Sequence, residues 1–256
     1  MARFDTTNWS VVLRAGSDDS ATAREALAVL CEAYWYPVYA MVRRYGHQAA
    51  DAEDLTQDYF ARFLEKGYAK ELRPEHGRFR SFLLVSVRNF LHNERDRARV
   101  AKRGGGKPRI SLDAAAADQR YSLEPVESVT PETLFERAWA NEVLARALER
   151  LEGEVAETDG RDRFQQLKPH LTGDDQAMGY REIAESWGVG DSGAVRVAVH
   201  RLRKRFGRIL RDEIAATVAD PADVGEELRH LLASVGRFES PESASPERAD
   251  DSRPGR

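Results

Sequence analysis

From Arg196 to Arg211 the chain carries seven Lys or Arg residues (196, 201, 203, 204, 205, 208, 211) and no Asp or Glu. A guanidinium or ammonium binds phosphate by charge and hydrogen bonding, with no covalent step. A merely solvated helical face mixes both signs and gains from Glu–Lys pairs four residues apart. Crowding this many like charges is favourable only beside something anionic. Val195, Ala198, Val199, Leu202, Phe206, Ile209 and Leu210 recur at helical spacing and predict one buried stripe. Arg196, His200, Arg201, Arg203 and Lys204 fall outside it. Just upstream, Ile183, Ala184 and Trp187 predict a short helix, and Gly188 follows where a left-handed residue is least costly. Asp191 or Ser192 can then cap the longer helix. This is the helix-turn-helix layout, in which the second helix enters the major groove of DNA.

A second basic element supports the same chemistry. Arg88, His92, Arg95 and Arg99 lie at spacings of four, three and four, on one stripe of a helix expected from Gly77 to about Arg99. Asn89, Asn93 and Arg97 lie beside them, and Asn and Arg can read base edges. Net charge is only −4, but it is segregated. Residues 78–109 hold ten basic residues against two acidic ones, a local +8. From Asp212 onward there are eleven acidic residues against five Arg, a local −6. Local potential, more than the total, governs encounter with DNA.

Other chemistries find less support. The carboxylates Asp51, Glu53, Asp54, Asp58 and Glu65 share a predicted helix without a His at ligand spacing, and no Glu-x-x-His completes a di-metal site. A solvated or protein-binding face is expected instead. The six His residues are scattered, no GxSxG nucleophile elbow occurs, and Gly104–Gly106 lack the surroundings of a phosphate loop. We therefore expect no catalytic residue, no metal and no cofactor.

The elements that must position these residues are all helical. Arg24 to Arg44 is an apolar, aromatic run in which Pro37 should start or kink a helix. Asp51 to Lys66 places Leu55, Tyr59, Phe60, Phe63 and Leu64 on one stripe, and the helix from Gly77 turns Phe79, Phe82, Leu83, Val87, Phe90 and Leu91 inward. Thr130-Pro131 supplies a cap and a first-turn proline for a helix to about Glu154. The expected fold is all-α, with two small helical domains at residues 1–100 and 130–214. A flexible linker is expected at 101–129, a tail helix at 215–238 and a disordered acidic tail at 239–256. One cysteine, no apolar run of membrane-spanning length and no secretory signal lead us to expect a cytoplasmic protein.

These residues resemble a known family. DAEDLTQDYFARFLEK is similar to the conserved region 2 helix of bacterial sigma factors, and GRFRSFLLVSVRNFLHNERDRAR to their promoter-melting, −10-reading helix. GYREIAESWGVGDSGAVRVAVHRLRKRF resembles their −35-reading region 4. The order of motifs and the missing region 3 resemble the extracytoplasmic-function (ECF) class. FDTTNWSVVLRAG, GRFRSFL and EIAATVADPADV resemble its planctomycete-type group. The turn GVGDSGAV is one residue longer than the family's, and Phe82 stands where the family often has Trp.

The resemblance implies a dissociable subunit that directs core RNA polymerase to promoter DNA and helps melt it. Asp54, Gln57, Asp58 and Arg62 would dock on the β′ coiled coil, and region 4 would lie near the β flap. His76, Arg78, Phe79, Arg80, Phe82, Arg88, Asn89, His92, Asn93 and Arg95 would engage the −10 strand. Arg196, Val197, His200, Arg201, Arg203 and Lys204 would engage the −35 element. Nucleoid association and an anti-sigma partner are further expectations of the resemblance. The competing reading is a free-standing helix-turn-helix regulator; a third, a helical enzyme or scaffold, would need a convergent polar pocket that the sequence does not advertise.

Overall fold

The computed structural model describes residues 21–65, 78–100, 114–122, 129–156, 160–172 and 177–236. The expectations for residues 4–16, for His76 and for the acidic tail 239–256 concern residues outside these. Among the described residues the protein is all-helical, and its one β feature is an isolated antiparallel bridge between Arg78 and Val218.

Helix α1 (Ala21–Arg44) is buried at every residue from Ala33 to Val42. A helix that is apolar all round belongs inside a core. Helical backbone continues on both sides of Pro37, so that residue starts no helix. Proline removes a single N–H donor, and packing on all sides of α1 outweighs that loss. Helix α2 (Ala49–Glu65) lies against α1 and buries Ala52, Thr56, Tyr59, Phe60 and Phe63. Helix α3 (Phe79–Val100) joins them at the reach of aromatic rings. Phe79 stands edge-on to Tyr34 with centroids 5.0 Å apart, and Phe90 lies 5.5 Å from Tyr59.

Part of the stretch expected to be a flexible linker is instead a docked helix, α4 (Ala114–Ser122). Its sequence AAAADQRYS shows little apolar periodicity, but alanine is the strongest helix former. Asp118 accepts from the Tyr39 hydroxyl at 3.1 Å and pairs with Arg43 at 3.2 Å. Burial, then the bond to Asp118, pushes the Tyr39 phenol up to about 12. Arg120 lies 3.8 Å above the Tyr36 ring.

Helix α5 (Pro131–Ala156) is the spine. Thr130 caps it through the Thr133 N–H at 3.1 Å, with Pro131 in the first turn as expected. Twenty-six residues span about 39 Å, so its two ends meet different neighbours. Near the start, Phe135 stacks on Tyr34 and Glu132 accepts from Tyr45. Near the end, Glu154 accepts from Arg205 at 2.9 Å. Among the described residues the buried apolar cluster runs from Ala33 to Leu231.

Two short helices, α6 (Arg161–Leu167) and α7 (Pro169–Thr172), lead to the pair α8 (Tyr180–Ser186) and α9 (Ser192–Ala215). A 3₁₀ turn (Pro221–Asp223) and helix α10 (Val224–Gly236) follow, and α10 packs on α5 and α9. No helix among the described residues is long and apolar enough to cross a membrane.

Candidate nucleic-acid interface

The α8–α9 turn is fixed by backbone chemistry. Gly188 adopts φ +68°, its N–H donates to Glu185 O, and Val189 N–H donates to Ala184 O. Those two bonds form a Schellman closure of α8. Of the two candidate caps for α9, Asp191 takes the position, its carboxylate accepting from Gly193 N–H at 2.9 Å. Trp187 is half-buried and donates from its indole to Gln166 at 2.6 Å.

With that start, α9 buries Val195, Val199, Leu202, Ile209 and Leu210, and packs Ala198 and Phe206 at the margin. The opposite side divides along its length. Arg196, Val197, His200, Arg201 and Lys204 are exposed, and the four polar ones make no ion pair or hydrogen bond among the described residues. Val197 is 50% exposed, an apolar spot inside a cationic ridge. Arg203 is exposed but donates to His170 O at 2.9 Å. Further on, Arg205 and Arg208 both reach Glu154, at 2.9 and 3.0 Å. Burial opposes the charge on Glu154, but the bond from Arg205 and the nearby Arg208 and Arg150 guanidiniums win, holding its carboxyl below the ordinary value. In the second half of the basic run Arg205 and Arg208 thus anchor α9 to α5, and the first half makes no such pairing among the described residues.

The candidate −10 residues also separate into two groups. His76 lies outside the described residues. Phe79 is fully buried and Phe82 half-buried, its ring 6.0 Å from Phe63. Arg80 is 4% exposed; it donates to Glu227 at 2.8 and 3.2 Å and to Glu136 at 2.8 Å, over the Trp139 ring. Arg78 pairs with Glu226 at 2.6 Å. In this arrangement Phe79 lies in the core and Arg80 in a buried ion pair. About two to four turns on, Arg88, Asn89, His92 and Asn93 are exposed, with Val85 exposed one turn before them. Arg95 is exposed yet leans on Tyr45, donating to its carbonyl at 3.3 Å.

On α2 the expected docking residues differ in freedom. Asp54 is exposed, with Asp51 beside it. Gln57 is buried and donates to Glu53 at 2.9 Å. Arg62 donates to Asp58 and, at 2.7 Å, to Glu94 of α3. Asp58 and Arg62 therefore fasten α2 to α3, and the open acidic surface is centred on Asp54. Glu136, Glu226 and Glu227 were not singled out from sequence. The adjacent pair Glu226-Glu227 opening an apolar helix was the available signal, though it reads as an ordinary acidic first turn.

The described residues contain no His, Cys, Asp and Glu cluster able to hold a metal. Neither the curated proteins nor the solved structures compared with the chain gave a match. Residues 30–101, which run from within α1 to the end of α3, match the family model described as Sigma-70 region 2. Over these residues the chain is similar to Sigma-70 region 2, which points to transcription initiation.

Proposed function

We propose that the chain is a cytoplasmic sigma factor of the ECF class, directing bacterial RNA polymerase to promoters through −10 and −35 contacts. The Sigma-70 region 2 match at residues 30–101 carries this reading. The cationic ridge of α9 supports it, because Arg196, His200, Arg201 and Lys204 present donors to phosphates and base edges with no acid among the described residues paired to them. Helices α8 and α9 then act as the helix-turn-helix of region 4. The ridge Arg88, Asn89, His92 and Asn93 meets the −10 strand, and Asp54 leads the acidic surface that docks on the β′ coiled coil.

The test is co-elution of the purified chain with bacterial core RNA polymerase, followed by run-off transcription from a genomic promoter pool. Stable association and new transcripts are expected. Sequence-specific DNA binding without polymerase association would replace this reading with the free-standing regulator.

A further inference from the structure

The first residues of α3 are sewn to the end of α9 and to α10. Phe79 N–H donates to Thr217 O at 3.0 Å beside the Arg78–Val218 bridge, and Thr217 and Val218 are both buried. Glu227, fully buried, receives Arg80 through both carboxylate oxygens, and it lies 3.5 Å from Arg78. Glu226, 57% exposed at its side chain, takes the outer guanidinium of Arg78. With Glu136, three carboxylates face two arginines, so this end of α3 projects no net positive charge. His230 stands 3.4 Å from Glu136 on the same side.

A buried ion pair gains little over well-packed apolar residues of the same volume. What it allows is exchange. Arginine presents the same planar fork to a carboxylate and to a phosphate. We propose that α10 is an internal latch: Glu226 and Glu227 occupy Arg78 and Arg80 as stand-ins for the phosphates of a single DNA strand, and α10 must lift before that strand can bind. This rests on the sigma-factor reading for its ligand. The latch also links both candidate DNA-reading helices, since the seam begins two residues after α9 ends and closes on the first turn of α3.

The experiment uses the full chain, a fluorescent single-stranded oligonucleotide read by anisotropy, and amide hydrogen exchange of residues 224–236. Glu226→Gln and the double variant Glu226→Gln/Glu227→Gln are compared with the unaltered chain. Faster exchange in α10 and about tenfold tighter strand binding are expected, with the gain lost when Arg78→Ala is added. The single variant alters only a half-exposed carboxylate, so it remains informative if the double variant unfolds. Faster exchange with no gain in affinity, a gain that survives Arg78→Ala, or no change in either readout would overturn the latch. Core-polymerase co-elution of the same variants separates the two ideas. Tighter strand binding without polymerase association would remove the sigma reading and keep the latch.

Discussion

Two arginine-rich surfaces that look alike in sequence have opposite fates in the fold. At the start of α3, Arg78 and Arg80 are matched by acids from α5 and α10. Along the first half of α9, Arg196, Arg201 and Lys204 are matched by none of the described residues. Positive charge density alone therefore does not mark a binding surface. In the closed arrangement the surface open to a ligand is the one whose charge the other described residues leave uncompensated.

The sharpest way to break this comparison is Arg80→Ala. It leaves the buried Glu227 with Arg78 alone, 3.5 Å away, and loss of one partner from such a buried group costs about 3–5 kcal/mol. Urea denaturation should show that loss; a change below about 1 kcal/mol would mean the pair is not structural. Gly188→Ala should come next. Nothing lies within 4 Å of an added Cβ, so its whole effect, about 1–2 kcal/mol, comes from the φ of +68°. It should reduce DNA binding only as far as it unfolds α8 and α9.

Acid should loosen the α5–α9 anchor. Glu154 has a depressed pKa in the fold, so its contribution is complete above the ordinary value of 4.5 and is lost as pH falls through the lower folded value. Thermal melting below pH 4.5 should therefore shift less with pH in Glu154→Gln than in the unaltered chain. The smallest stability effect belongs to the free ridge. Arg196→Ala with Arg201→Ala should change stability by no more than about 0.5 kcal/mol. The same pair should weaken duplex binding and lower the salt slope by about one per residue. A large stability loss would show that the ridge is internally engaged after all.

Much of the helical frame was legible because it rests on local signals. The α9 stripe, the Thr130-Pro131 start and the inward faces of α2 and α3 each follow from spacing within one turn or two. The site was half legible for the same reason. Arg196, Val197, His200, Arg201 and Lys204 are outward because Val195, Val199 and Leu202 are inward. The fate of Arg80 depends on Glu227, 147 residues away, and that of Arg62 on Glu94, 32 residues away. No periodicity reports such pairings. The docking of α4 was hidden differently: its alanines say helix but not surface, and Asp118, Arg120 and Tyr121 tie it to α1 and α5.

The span between Arg80 and Glu227 also imposes a schedule. A ribosome adds about 5–20 residues per second, so 147 residues take about 7–30 s to follow. During that interval the segment that matches Sigma-70 region 2 has been made, while the carboxylate that buries Arg80 has not. The newborn domain passes through a period in which Arg78 and Arg80 lack their Glu226 and Glu227 partners. The last described helix to be synthesised is the one that ends it.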